Sequence, residues 1–195
     1  MSTVTRPRPK PQFPVELMGV HKTFVLDAAS GERVYAEIRP ITETDLSQVQ
    51  QISQGYSKPA QNTASYVLAT KDKGRDKVEG ILCVSPGKHN NTNSLSVDGV
   101  DCAPENMRDS DNRNLRYVGS RLLEYAVKIS RREGLKGRLH MLARDTQARQ
   151  FYENLGFDGE GIIKSGKHFF LPEKNADKLV KHLQNKIKPP NIYST

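Results

Sequence analysis

Apolar positions along this chain recur with two different periods, and the switches between them outline its elements. Two-residue alternation predicts strands over 23–26 and 33–38, joined by a five-residue loop that ends on Gly31, which is able to take positive φ. The second strand runs on through Glu37-Ile-Arg-Pro-Ile41. Thr44 and Asp45 then cap a helix with Leu46, Val49 and Ile52 at helical spacing. Residues 65–70 and 77–84, separated by Asp72-Lys-Gly-Arg75, predict an antiparallel pair. The stretch 85–92 reads as a polar connection. Residues 95–103 form a further strand, interrupted by Gly99, and glycine inside a strand marks a bulge or the close approach of another backbone. Leu115, Val118, Leu122, Tyr125, Ala126 and Ile129 make the apolar stripe of a long helix that Gly134 ends. A strand over 139–143, a short helix over 145–156, a closing hairpin through 162–163 and 167–171, and an amphipathic helix over 176–187 capped by Asn175 complete the pattern.

Composition adds limits. The 195 residues contain no internal repeat, enough chain for one core, and no apolar run long enough to span a membrane. Residues 2–14 interleave Arg6, Arg8 and Lys10 with Pro7, Pro9, Pro11 and Pro14, which leaves little to bury. The expected organisation is a flexible basic arm over 1–22, one domain over 23–188 and a tail over 189–195. Cys83 and Cys102 lack metal-ligand spacing, so no metal site is expected. They read as buried free thiols, and with no signal-peptide core a cytoplasmic location is expected. The net charge of +8 is concentrated: 108–138 carries nine Lys/Arg against four Asp/Glu, and 164–188 seven against two. Such patches suit a polyanion, either a nucleotide cofactor or nucleic acid.

The most informative segment is Asp145-Thr-Gln-Ala148-Arg-Gln-Phe151-Tyr152-Glu-Asn-Leu155-Gly156-Phe157. Asp145 is a good N-cap, Ala148, Tyr152 and Leu155 share a helix face, and Gly156 supplies a left-handed stop. This pattern resembles the alanine-tyrosine-glycine-phenylalanine signature of the GNAT superfamily, the N-acetyltransferases that use acetyl-CoA. The resemblance spans roughly 36–171 and has three further anchors, at Ile38-Arg-Pro-Ile-Thr42, at 78–84 and at 114–123. It implies an α+β fold: a mixed, mostly antiparallel central sheet flanked by helices, with a splayed strand pair that admits the pantetheine arm of CoA.

In that family a Gln/Arg-x-x-Gly-x-Gly/Ala turn wraps the cofactor pyrophosphate at a helix start, where unpaired amides meet the anion. The matching stretch here is Arg113-Asn-Leu-Arg-Tyr-Val-Gly119-Ser-Arg-Leu-Leu123. One register puts Tyr117 and Gly119 at the two glycine positions; the other puts Gly119 and Arg121 there. The first keeps Leu122 and Leu123 in the core, and in both one small residue is missing. The resemblance implies cofactor contacts from Val100 and Cys102 on the splayed strand, and from Arg113, Asn114, Arg116, Tyr117, Val118, Gly119, Ser120 and Arg121 around the turn. It adds Asp145, Ala148 and Tyr152 on the short helix, where Asp145 stands in a place the family often gives to Asn.

By the same resemblance Tyr152 is the catalytic acid toward the departing CoA thiolate, a role a phenol of pKa about 10 can fill. Asp98 is the preferred candidate base, with Asp101 and Glu79 as alternatives; His140 and His168 are read as structural. The expected activity is N-acetyl transfer from acetyl-CoA to an amine by direct attack in a ternary complex. The acceptor is a protein lysine or N-terminus, an aminoacyl-RNA or a small amine. The competing expectation is a GNAT-like module without turnover that holds RNA or a protein partner through its basic patches.

Overall fold

Alternation of buried and exposed positions resolves into one nine-stranded sheet in the computed structural model, which describes residues 18–53, 63–143, 145–163 and 166–187. The proline-rich segment up to residue 17, the loop over 54–62 and the tail lie outside the described residues. Of the expected arm, His21 and Lys22 are already strand.

β1 (His21–Asp27) and β2 (Arg33–Pro40) form the expected hairpin, with Gly31 at φ 73°. After a 3-10 turn comes α1 (Leu46–Ile52). β3 (Ala64–Asp72), β4 (Arg75–His89) and β5 (Thr92–Cys102) make an antiparallel meander. The supposed polar connection over 85–92 is strand. β4 and β5 run on to a tight turn at Asn90 and Asn91, whose φ values of 45° and 61° suit the primed hairpin turns that asparagine tolerates. Its polarity reflects exposure of the hairpin end, which imitates a loop in composition.

Leu115 is buried, but in the two-residue strand β6 (Leu115–Arg116), which pairs with β1; the helix α2 (Val118–Arg132) begins three residues later than its apolar stripe suggested. β7 (Leu139–Ala143), α3 (Thr146–Asn154), β8 (Asp158–Ile163), β9 (Gly166–Leu171) and α4 (Glu173–Lys186) follow. Asn175 does not cap α4, which starts after Pro172; its amide instead donates to the Gly156 carbonyl at 2.8 Å.

The sheet order is β6-β1-β2-β3-β4-β5-β7-β9-β8, and only β5 and β7 run parallel. Tyr66 and Leu68 of β3 and Leu82 and Val84 of β4 join the main core with Leu122, Tyr125, Tyr152 and Leu179 from α2, α3 and α4. The intervening Val67 and Ile81 point the other way and meet Val49 of α1. Three helices therefore cover one face, and α1 covers part of the other. No helix among the described residues is long and apolar enough to cross a membrane.

The start of α1 is fixed by a buried carboxylate. Asp45 accepts from Arg39 through two nitrogens (2.6 and 2.9 Å) and from the amide and hydroxyl of Thr42 (2.8 and 2.7 Å). Burial alone raises its pKa, but these bonds outweigh that and hold it at about 2. A depressed folded-state pKa gives stability that is present above the ordinary Asp value and lost as pH falls toward 2. Replacing Asp45 by Asn is expected to cost on the order of 2 kcal/mol at neutral pH. In urea titrations the gap to wild type closes between pH 4 and 2; a gap independent of pH would contradict this account.

Candidate functional site

One strand irregularity opens the site. In the β4–β5 ladder Cys83 pairs with Gly99 and Val84 with Val97, so Asp98 is the extra residue of a bulge. The parallel β5–β7 ladder holds only from Leu95 with Leu139 to Val97 with Met141. Past the bulge the strands part, and the β5 edge from Val100 to Cys102 faces a cleft of about 790 Å³ instead of a neighbour. Gly99 marked this place in the sequence; the extra residue is its neighbour.

The second wall is the start of α2. Tyr117 is its N-cap and takes φ 72°, a left-handed conformation rare for a tyrosine. This is the residue that the leucine-preserving register sets at the first glycine, and the backbone there has the form that glycine takes most readily. Gly119 follows where space is scarce: a Cβ built on it lies 3.3 Å from Phe151 Cζ and 3.4 Å from Cys102 Sγ. The Gly119 amide donates to that sulfur, yet burial pushes the thiol up to about 12. Cys102 is thus a neutral thiol that occupies one helix-start amide, with no nucleophilic character near neutral pH.

The third wall is α3. Asp145 caps it by accepting from the Ala148 amide at 2.7 Å, as expected. Tyr152 lines the cleft at 7% exposure, its ring among Phe151, Phe157 and Phe169. Burial, then the carboxylates of Asp101 and Asp145 and the Cys102 sulfur, push its phenol up to about 12. It keeps its proton at any physiological pH.

The cleft lining also carries three guanidinium groups, those of Arg108, Arg113 and Arg116. Arg113 anchors its Nε on the Leu115 carbonyl (3.0 Å) and Arg116 donates to Ala28 O (2.7 Å). Burial, together with the nearby Arg116 and Arg108, lowers the Arg113 pKa, the mark of guanidinium groups that repel one another. An anion relieves that repulsion.

Val100, Cys102, Arg113, Arg116, Tyr117, Val118, Gly119, Ser120, Asp145, Ala148 and Tyr152 therefore share one cleft. Three expected residues do not line it. Arg121 is buried on the opposite side of α2, where it donates to Phe24 O at 3.0 Å and ion-pairs with Glu124; the i,i+3 spacing of that pair was visible in the sequence. Asn114 is a strut, its carbonyl accepting from the Ala28 amide and its amide donating to Glu105 O, both at 2.8 Å. Asp98 is exposed at the bulge and accepts from Ser96 Oγ at 2.7 Å. Asp101, the alternative base, does line the cleft. Glu79 is buried and bonded to Thr70 and Asn106, which leaves it unfit to exchange protons with a substrate. Asn106, Met107, Arg108, Asp109, Gln147, Gln150 and Phe151 also line the cleft; most sit in a polar loop where periodicity is silent.

The backbone at Tyr117 gives a direct test. Glycine is normally worse than alanine near a helix, but in a left-handed position alanine carries a penalty of about 1 kcal/mol that glycine escapes. Tyr117→Gly is expected to unfold at a higher urea midpoint than Tyr117→Ala. The reverse order would mean that the left-handed geometry is absent in solution.

No protein-family model and no curated protein matches this chain. Solved structures do. The AtaT toxin, as a tyrosine-to-phenylalanine mutant bound to the C-terminus of the antitoxin AtaR and acetyl-CoA, superposes with a TM-score of 0.53 at 16% identity, over 74% of this chain and 97% of that one. The GNAT domain of PAT from S. lividans gives 0.53 at 14% identity, over 77% and 96%. The PaiA N-acetyltransferase from Thermoplasma acidophilum, in complex with coenzyme A, gives 0.51 at 15%, over 69% and 97%. At these identities the likeness is one of architecture: the chain has the GNAT fold.

Proposed function

We propose that this protein is an acyl-CoA N-acyltransferase, and specifically an acetyltransferase, that works by direct attack of an amine on the thioester. The observation that carries the reading is the make-up of a single cleft. It joins an unpaired strand edge, a buried neutral phenol and three arginines. A CoA thioester has a part complementary to each: an amide-bearing arm for the strand edge, a terminal sulfur for the phenol, and a polyphosphate for the arginines. GNAT-fold neighbours crystallised with acetyl-CoA or CoA support the same assignment.

Under this reading the β5 edge from Val100 to Cys102 pairs with the pantetheine amides, and the α2 start with Arg108, Arg113 and Arg116 receives the phosphates. Acetyl-CoA supplies an activated acyl group. The Tyr152 hydroxyl meets the charge that grows on the departing sulfur. A phenol held at about 12 is a weaker acid than an alkyl thiol, so full proton transfer from it to the thiolate is uphill. Tyr152 therefore acts by donating a strong hydrogen bond, and the thiolate takes its proton from solvent after release. This refines its role as an acid.

On the amine side, a lysine acceptor at pH 7 pays on the order of 4–5 kcal/mol to become neutral, while an α-amine pays about 1. Asp101 replaces Asp98 as the base: it is the β5 carboxylate on the cleft wall, close enough to Tyr152 for its charge to be felt there.

Calorimetric titration with acetyl-CoA tests the cleft first. Micromolar binding is expected for wild type and for Tyr152→Phe, with turnover on an amine lowered about 10²-fold in the variant, at the lower end for a positioned proton donor. No heat with acetyl-CoA or CoA would sink the enzyme reading and leave a GNAT-fold binding module. The pH profile gives a further check. A raised phenol pKa means that protonated Tyr152 is fully present below pH 10 and lost as pH rises through about 12. Any activity limb near pH 7–9 must therefore survive in Tyr152→Phe.

A further inference from the structure

The arginine-bearing wall of the cleft belongs to a segment with almost no regular structure, and what fixes it lies beneath it. Glu79 on β4 is 2% exposed, and its carboxylate is fully engaged. Oε1 accepts from Thr70 Oγ1 at 2.7 Å, with Lys77 Nζ at 3.4 Å, and Oε2 accepts from Asn106 Nδ2 at 2.6 Å. Asn106, also 2% exposed, uses its remaining Oδ1 to accept from the Leu115 amide at 3.0 Å. The Glu79 carbonyl accepts from the Ala103 amide at 2.9 Å, and Lys77 reaches Glu105 at 3.0 Å. The loop carrying Arg108 and Arg113 is thus pinned at both ends, near 103–106 and at Leu115.

We propose that Glu79 and Asn106 are a buried positioning pair that holds this loop against the cleft and so sets its affinity for the anionic end of the ligand. The consequence for affinity rests on the acyl-CoA reading; the hold on the loop does not. Donor and acceptor counting makes the pair directional. Leu115 N–H needs an acceptor, so Asn106 must present its oxygen there and its NH2 to position 79. Position 79 then needs an acceptor facing Asn106, while the Thr70 hydroxyl serves as donor or acceptor. Glutamine meets that demand by turning its NH2 toward Thr70, while Lys77 keeps its shorter contact with Glu105; leucine does not. Asn106→Asp keeps the shape and the Leu115 acceptor but sets two carboxylates against each other in a buried place, which is strongly unfavourable.

The test compares four variants by CoA titration, by amide hydrogen exchange at Leu115 in the free protein, and by thermal melting. Glu79→Gln is expected to bind CoA within threefold of wild type. Asn106→Asp and Glu79→Leu are expected to weaken CoA about tenfold or more and to speed Leu115 exchange by a similar factor. In Glu79→Leu, whose side chain does not line the cleft, kcat at saturating acetyl-CoA stays within about twofold. Thr70→Val removes a bond to the same carboxylate but leaves the loop pinned, so it lowers the melting temperature without moving either readout. Unchanged Leu115 exchange in Asn106→Asp would overturn the proposal. So would CoA affinity in Thr70→Val that falls along with melting temperature, since that would make Glu79 an ordinary stabilising group. If wild type binds no CoA, the functional reading fails and the exchange comparison alone decides whether the pair holds the loop.

Discussion

Parallel strands gain stability from an unbroken ladder, and this sheet gives one up. β5 and β7 are bonded over three residue pairs and then separate at the place where Asp98 is inserted opposite β4. A bulge deepens the twist and bends its strand, so β5 leaves β7 without losing β4. The open edge that results is costly to keep buried and dry. The fold tolerates it because a cleft lies along it, where water or the backbone-like part of a ligand takes the missing partner's place. The helix arrangement follows from the same opening. α2 closes one side, its first turn seated close against β4, where a Cβ on Gly80 would lie 2.7 Å from Val118. α3 closes the other and brings Tyr152 to the gap.

Electrostatics then gives the cleft two sets of groups with different logic. Near the open strand edge the two buried acids keep their protons beside the carboxylates of Asp101 and Asp145: Cys102 and Tyr152 are both pushed up to about 12, chiefly by burial. Protonated acids suit a group that gains negative charge during reaction, since donors are in place before the charge appears. Arg108, Arg113 and Arg116 bring permanent charge to the same cleft, with Arg113 losing proton affinity to burial and to its neighbours. That suits an anion that arrives already charged. The net charge of +8 is therefore partly local in meaning: a share of it serves the cleft, while Arg121 spends its charge on Glu124 within the fold.

Much of the architecture was legible because its signals are local. Periodicity placed the β1–β2 hairpin, the β3–β4 pair and the helices; the N-cap and glycine stop of α3 read correctly residue by residue, and Gly99 flagged the bulge to within one position. The misreadings have physical causes. A hairpin end that is half-buried to exposed and carries polar residues has no apolar period, so 85–92 passed for a loop. Leu115 fits a helical stripe by spacing, but the left-handed turn at Tyr117 stops the helix from reaching back to it. The site was half legible. Residues on regular elements were found, whereas Asn106 and Arg108 sit where only tertiary hydrogen bonds decide position. Asp98 and Asp101 both stand on the strand expected to splay. Asp98 is the extra residue of the bulge and Asp101 lines the cleft, and a bulge reverses the inward and outward alternation from which such choices are made.

The altered turn and the buried pair belong to one design. Where a glycine opens a phosphate-binding turn, the main chain approaches the anion closely and its amides carry much of the binding. Here a tyrosine side chain stands at that point, and the sulfur of Cys102 takes the Gly119 amide. The main chain offers less, so guanidinium groups must offer more. Amides in a helix turn are held by the helix itself, but Arg108 and Arg113 project from an irregular loop whose order has to come from elsewhere. A loop that supplies binding energy through long side chains loses that energy to conformational freedom unless its backbone is fixed. In the proposal above, Glu79 on β4 and Asn106 on the turn that follows β5 supply that fixity through their bonds to each other and to the Leu115 amide. The departure from a glycine turn and the presence of a saturated carboxylate under the loop are thus two parts of one solution. Under the acyl-CoA reading proposed above, affinity for the phosphates moves from the helix backbone to a braced set of side chains.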